Sequence, residues 1–145
     1  MAVPNIVVPN IVITVSLAKL ARYYLRTLEL CRKGDPEPEF IPNESAVITL
    51  EHVIPENLEE HWPTLSFEDA NSLYKRIGNM VLLKGTRNSK IGNLPFTTKV
   101  PEYAKSSYEY TKDIAKKKTW GRVEVDERQK RMAAHAIKAW PLKIR

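Results

Sequence analysis

The sequence predicts a single α+β domain in which a strand–strand–helix unit lies within a mostly helical chain. Residues 46–50 are apolar and rich in β-branched residues, as is typical of a buried strand, and residues 80–83 are a second short apolar run that predicts a second strand. Residues 83–92, LKGTRNSKIG, contain turn residues followed by polar and basic ones, which predicts a short helix after the second strand. At 145 residues the chain is long enough for one domain with a modest core.

The other elements are predicted to be helices. Residues 17–33 follow a possible N-cap at Ser16 and carry an apolar stripe: Leu17, Leu20, Ala21, Tyr24, Leu28 and Cys31. A Pro-rich acidic loop leads to the first strand, and a second helix over residues 66–76 has Ser66 as its N-cap. A third helix is predicted around residues 103–117, with a core-facing stripe of Tyr103, Ser107, Tyr110 and Ile114. A fourth is predicted around residues 126–140, with a core-facing stripe of Met132, Ala133, Ala136, Ile137 and Trp140.

Residues 1–16 repeat Val-Pro-Asn-Ile and are interpreted as an apolar extension or linker remnant ahead of a domain over residues 17–145. A strand that docks on a partner domain is the alternative. The segment has no basic n-region and contains two prolines, so neither a signal peptide nor a membrane span is expected. A single cysteine, Cys31, excludes an internal disulfide and a cysteine-based zinc site, and a cytoplasmic location is expected.

Charge is unevenly distributed along the chain, whose formal net charge is +6. Residues 34–74 contain ten Asp or Glu and no Lys or Arg, whereas residues 75–145 contain eighteen Lys or Arg and six Asp or Glu. Aromatic residues are interspersed among the basic ones, which suits a surface that follows phosphates. A solvated helical face is equally consistent with the charge alone. The candidates for nucleic-acid contact are Arg87, Lys90, Lys99, Lys116, Lys117 and Lys118.

The segment LEHVIP places an acid and a histidine together where the first strand ends. Hydrolysis of a phosphodiester needs a base for water, and a divalent cation held by oxygen ligands. The imidazole of His52 is mostly neutral at pH 7 and is the candidate base. The carboxylate of Glu51 is a candidate ligand for a hard cation such as Mg²⁺, and Asn88 is the candidate second oxygen ligand.

At these residues the chain resembles the HNH, or ββα-metal, endonuclease superfamily, and most of all the C-terminal HNH domain of GmrSD-type modification-dependent restriction enzymes. The family's acid, histidine and proline are matched by Glu51, His52 and Pro55, and its Gly-Asn by residues 78–79. The resemblance implies that His52 is the general base, that Asn79 braces the catalytic motif, and that Glu51 and Asn88 bind one Mg²⁺, with Mn²⁺ substituting. Later matches are Asn93, Phe96, Lys99, Tyr103, Ser106 or Ser107, Trp120, Arg128, Trp140 and Pro141.

The resemblance implies a metal-dependent DNA endonuclease in restriction or anti-phage defence. Its partners would be DNA and a ParB-like nucleotide-binding domain or subunit, and no membrane is involved. Nothing like that domain precedes residue 17, which leaves target choice open. The competing interpretation is a non-catalytic nucleic-acid-binding or assembly subunit, and cleavage of RNA is a third. The simultaneous presence of Glu51, His52 and Asn88 favours catalysis, since binding alone needs no base.

Overall fold

The computed structural model describes residues 14–34, 47–58 and 61–141, and it confirms the predicted α+β class. The elements are α1 (Ala18–Lys33), β1 (Ile48–His52), α2 (Phe67–Tyr74), a 3₁₀ turn (Ile77–Asn79), β2 (Met80–Lys84), α3 (Gly85–Ile91), α4 (Phe96–Ala104), α5 (Glu109–Ile114) and α6 (Arg122–Ala139). The predicted strand–strand–helix unit is therefore present as β1, β2 and α3. The Pro-rich acidic loop lies outside the described residues.

The two strands form an antiparallel sheet whose register brings His52 opposite Met80 and Glu51 opposite Val81. Side chains alternate between the faces of a strand, so Glu51 and His52 point to opposite sides of the sheet. On one side of the sheet, Val81 and Leu83 pack into the first hydrophobic core. Ile48, Met80 and Leu82 belong to the second core. The sheet thus separates two cores, and the acid and the histidine lie at its edge.

Helices α1 and α6 differ in detail from the predicted stripes. Leu17 and Ile137 of the predicted stripes are 68% and 62% exposed, whereas Ala21, Leu28 and Met132 are buried as predicted. The buried residues are Ala21, Arg22, Leu25, Leu28 and Glu29 in α1, and Val125, Arg128, Gln129 and Met132 in α6. Hydropathy would place the polar ones on the surface: Arg22, Glu29, Arg128 and Gln129. Helix α6 also begins at Arg122, four residues before the predicted start.

The single helix predicted over residues 103–117 is wrong, because the chain forms α4 and α5 there with a break between them. The break is stabilised from outside the segment. The buried carboxylate of Glu29, on α1, accepts the backbone N–H groups of Glu109 and Tyr110 and so caps the first turn of α5. This cap comes from eighty residues away, where no local pattern could indicate it.

The region before β2 is closely packed. Ser66 accepts a hydrogen bond from the Asp69 N–H, which confirms its predicted role as the N-cap of α2. A Cβ atom on Gly78 would lie 2.5 Å from the Val125 carbonyl oxygen, so the approach of α6 to the 3₁₀ turn requires glycine there.

The predicted extension meets this region at its end. The N–H of Val15 donates to the Lys75 carbonyl oxygen, and Thr14 forms a bridge with Arg76; residues 1–13 lie outside the described ranges. Among the helices that the structure describes, none is long and apolar enough to cross a membrane.

Candidate functional site

The site is organised around Asn79, whose side chain is completely buried where the 3₁₀ turn meets β2. Its Oδ1 accepts hydrogen bonds from the Ile54 N–H at 2.9 Å and from the Trp120 indole N–H at 3.1 Å. Its Nδ2 donates to the carbonyl oxygens of Ile54 at 3.0 Å and Tyr74 at 3.2 Å. One carboxamide therefore joins the chain just after His52, the end of α2 and the segment before α6.

His52 is half-buried at the end of β1, and its imidazole stacks on the ring of Tyr74 with centroids 4.2 Å apart. Burial, with a smaller contribution from the positive charge of Lys99, lowers the pKa of His52 to about 4. The imidazole is therefore neutral at pH 7 and has a lone pair that can accept a proton.

Glu51 lies on the other face of the strand and is only 5% exposed. Its Oε1 accepts a hydrogen bond from Lys99 Nζ at 2.7 Å and from the Tyr103 hydroxyl at 2.9 Å, both on α4. Burial raises the pKa of Glu51 and lowers that of Lys99, and in each case the partner's charge opposes the shift. Lys99 also donates to the carbonyl oxygens of His52 and Val53, so it fixes the chain beyond the strand.

Two expectations about this pair are corrected by its position. Glu51 was expected to offer its carboxylate to a cation, but that carboxylate is buried against α4 and paired with Lys99. Lys99 was expected to contact a phosphate, but its side chain is inaccessible and its ammonium is fully engaged by Glu51 and two backbone carbonyls. The physical reason is that a buried carboxylate needs a counterion, and α4 delivers Lys99 to the inner face of β1.

Asn88 lies on α3 beside β1, as expected for a residue of the strand–strand–helix unit. Its Nδ2 donates to the Thr49 hydroxyl at 2.8 Å and to the Leu50 carbonyl oxygen at 3.3 Å. These bonds fix the carboxamide plane next to the residue that precedes Glu51, and the oxygen Oδ1 is the atom left to act as a ligand.

The oxygen donors at the site fit a hard cation. Glu51 offers a carboxylate and Asn88 a carboxamide oxygen, and Mg²⁺ in proteins is usually held by one or two such groups together with water. Across the described residues, no group of three or more His, Cys, Asp or Glu side chains is placed to hold a metal ion. The two donors are oxygen atoms, the ligand type that hard cations prefer, and the carboxylate of Glu51 is already paired with Lys99.

The other predicted basic residues lie on or near the surface. Arg87 pairs with Glu102, and Lys90 is exposed on α3. Lys118 is exposed after α5, and its two neighbours are in ion pairs: Lys116 with Asp113 and Lys117 with Glu127.

Several residues that shape the site were not predicted to do so. Tyr74 stacks on the histidine, Tyr103 bonds the buried acid and Thr49 orients the asparagine of α3. Trp120, one of the later matches to the family pattern, is buried, and its indole N–H donates to Asn79. The sequence signal for one of these contacts was Thr49, a polar residue inside an apolar strand, because a hydroxyl covered by other residues needs a hydrogen-bond partner. Of the two other histidines, His61 is exposed and His135 contacts the Tyr110 hydroxyl.

Fold and side chains together define a small α+β domain with a polar site at the end of a two-stranded antiparallel sheet. Residues 10–135 match the C-terminal domain of GmrSD restriction endonucleases, and the chain belongs to this family. A comparison with curated proteins finds no match. Family membership makes the chain a nuclease domain of restriction with DNA as its substrate, and such nucleases generally require a divalent cation.

Replacing Lys99 with Met should destabilise the protein by about 3–5 kcal/mol, because Glu51 would be left as a buried charge without its counterion. Urea unfolding measures this decrease. The same change at Lys90, which is exposed, should alter stability by at most about 0.5 kcal/mol. A Lys99→Met protein as stable as wild type would contradict the buried pair.

The Lys99→Met defect should also depend on pH. Burial already raises the pKa of Glu51, and removing Lys99 removes the charge that opposes this rise. An acid with a raised folded pKa destabilises the protein progressively as pH rises from its unfolded pKa to its folded pKa, so the defect should be smaller at low pH than at pH 8. Combining Lys99→Met with Glu51→Gln should recover part of the stability at pH 8.

Proposed function

We propose that the chain is an HNH-type, one-metal DNA endonuclease in which His52 is the general base. The observation that carries this proposal is the position of His52: a neutral imidazole at the end of β1, with the next turn of chain tied down by Asn79. A base must be held within hydrogen-bond reach of its proton, and a rigid turn provides that geometry. Asn79 acts as a positioning residue in this mechanism, since its own polar atoms are used within the protein.

The low pKa of His52 has a consequence for the reaction. A base with a pKa of about 4 is neutral at pH 7 but accepts a proton only weakly. A phosphodiester bound beside the ring would place negative charge next to it and raise its pKa, because a nearby anion favours imidazolium. Substrate binding itself would therefore strengthen the base, and the free enzyme would hold it in the receptive neutral form.

The proposed cation is Mg²⁺, with Mn²⁺ able to substitute. Asn88 would hold it through Oδ1, and Glu51 through Oε2, the oxygen opposite the one that Lys99 and Tyr103 bond. When bound, the ion would neutralise charge on the phosphoryl and leaving oxygens. Of the two proposed ligands, Glu51 also has a structural role, because its carboxylate neutralises the buried charge of Lys99.

Replacing His52 with Ala should lower the rate of DNA cleavage by about a hundred- to ten-thousand-fold, the decrease expected when a general base is removed. The measurement is nicking or linearisation of plasmid DNA, with and without modified cytosines, in Mg²⁺, Mn²⁺ or EDTA. His61→Ala is the matched control, since His61 is exposed and lies outside the motif. Cleavage by His52→Ala at the wild-type rate would remove His52 from this role, and a wild-type chain without metal-dependent cleavage would favour the non-catalytic subunit.

Replacing Asn88 with Ala should raise the Mg²⁺ concentration needed for half-maximal cleavage by about tenfold or more. Asn71→Ala is the control, because Asn71 is an exposed asparagine of α2 and lies outside the site. Glu51→Ala does not serve this purpose, since it would leave Lys99 buried without its partner. Identical Mg²⁺ titrations for wild type and Asn88→Ala would contradict the assignment.

We further propose that the basic second half of the chain holds the DNA backbone through the cations Arg87, Lys90, Lys116, Lys117 and Lys118. Lys99 is left out because it is buried. Lys116 and Lys117 already have acidic partners, so Lys118 should contribute most among the three consecutive lysines. A ParB-like domain or subunit would then choose the target, since interactions with the DNA backbone carry no sequence information.

Neutralising Lys116, Lys117 and Lys118 to Gln should weaken duplex binding and flatten the dependence of log affinity on log salt. The slope should fall by up to about 0.9 for each DNA phosphate that the variant no longer neutralises. Fluorescence anisotropy across a salt series measures the slope. His52→Ala should keep the wild-type slope, because a neutral imidazole releases no counterion. A triple variant with the wild-type slope would move the DNA path to Arg87 and Lys90.

A further inference from the structure

The imidazole of His52 is held differently from the chain around it. The backbone of His52 lies in register with Met80, and its carbonyl oxygen accepts a hydrogen bond from Lys99 Nζ at 3.1 Å. The ring nitrogens form no hydrogen bond with any of the residues that the structure describes. A histidine that acts as a base is commonly oriented by a hydrogen bond to its second ring nitrogen, so a different contact sets the ring plane here.

That contact is made by the aromatic ring of Tyr74. Its centroid lies 4.2 Å from that of the imidazole, and the two ring planes differ by 28°. The stack restricts rotation of the imidazole about its χ2 bond, because turning the ring out of this plane would drive one of its edges into the tyrosine ring. Tyr74 therefore covers a face of the imidazole and does not cover the edge that carries the nitrogen lone pair.

Tyr74 is itself held in place by the chain on either side of it. It is the last residue of α2 and directly follows Leu73, which is completely buried in the core. Its carbonyl oxygen accepts a hydrogen bond from Asn79 Nδ2 at 3.2 Å. The next residue, Lys75, accepts the Val15 N–H at 2.8 Å through its own carbonyl oxygen. A ring on a segment anchored in this way can hold the side chain that stacks on it.

The contact with His52 uses the ring of Tyr74 and not its hydroxyl. Among the residues that the structure describes, the hydroxyl has no hydrogen-bond partner. The side chain is half-buried, so it is not a residue of the core whose loss would leave a closed cavity. Phenylalanine has the same ring without the hydroxyl and can replace tyrosine in this stack. Leucine is also apolar, but it has no flat face on which an imidazole can stack.

We infer that Tyr74 is the positioning residue of the proposed base: its ring holds the imidazole of His52 in one plane, so that the lone pair keeps a single direction. The inference rests on the role in cleavage proposed above for His52. A displacement of a catalytic group by about 1 Å can lower a rate by about a hundredfold. Because Tyr74 acts through His52, its loss should affect the chemical step and not the binding of DNA.

The experiment is cleavage of plasmid DNA by the complete chain in Mg²⁺. Tyr74→Leu should lower kcat by about tenfold or more and leave KM within about twofold of the wild-type value. Tyr74→Phe should keep both constants within about twofold of wild type, because it keeps the stacking ring. Phe67→Leu is the matched control, since it replaces an aromatic residue of the same helix whose side chain is 77% exposed, and it should cleave as wild type does. Urea unfolding shows whether each variant is folded.

A second measurement tests the stack without cleavage. Protons above the face of an aromatic ring resonate upfield in NMR spectra, so the carbon-bound ring protons of His52 should lie upfield of those of the exposed His61 at pH 8. The chain has three histidines, and His52→Ala assigns the His52 signals by removing them. The upfield shift should persist in Tyr74→Phe and disappear in Tyr74→Leu. Because the shift is measured in wild type, it decides whether the stack exists even if Tyr74→Leu does not fold.

Unshifted His52 protons in wild type would overturn the inference. So would a folded Tyr74→Leu protein with the wild-type kcat, or a Tyr74→Phe protein as slow as Tyr74→Leu. A higher KM at an unchanged kcat would make Tyr74 a contact for DNA and would also overturn it. Failure of the proposed function has a different signature, in which His52→Ala cleaves at the wild-type rate. That result would remove the positioning role as well, whereas the ring-proton shift would still report the stack.

Discussion

The hydrogen bonds of one buried carboxamide, that of Asn79, are the constraint on which the rest of the site depends. Every polar atom of this side chain is directed at a different part of the fold: the chain after β1, the end of α2 and the indole of Trp120. A buried amide with such a set of partners tolerates no alternative arrangement, since each broken bond would leave a polar group unsatisfied. The position of the His52 side chain thus depends on hydrogen bonds made by other residues, those of Asn79 among them.

Glu51, the acid next to that histidine, has a structural role in addition to the one proposed for it as a metal ligand. Glu51 is enclosed by α4, and its charge is matched by Lys99 and a tyrosine hydroxyl. Such a pair costs desolvation energy on both sides, and its benefit is the fixed orientation of the groups around it. Because Lys99 also bonds the carbonyls of His52 and Val53, the pair and the Asn79 carboxamide hold the same few residues from two sides.

Local patterns in the sequence were sufficient for the strands, for α2 with its Ser66 cap, and for the order strand, strand, helix. They were sufficient because strand propensity, proline and capping act within a few residues. The Glu51–Lys99 pair joins residues forty-eight positions apart, and periodicity contains no information about such an interaction. The same limit applies to α5, whose start is set by Glu29, and to α6, whose buried face includes an arginine and a glutamine that hydropathy would place in water.

The cap that Glu29 provides makes the folding of two distant segments interdependent. Helix α5 has six residues, far fewer than the length at which an isolated helix persists in water. Its first turn is completed by a side chain of α1, so it can gain that stabilisation only after the two segments have met. Bringing them together closes a loop of about eighty residues, which is entropically costly and is typical of late rather than early steps. Helices α1 and α5 therefore belong to one cooperative folding unit, although most of the domain separates them in sequence.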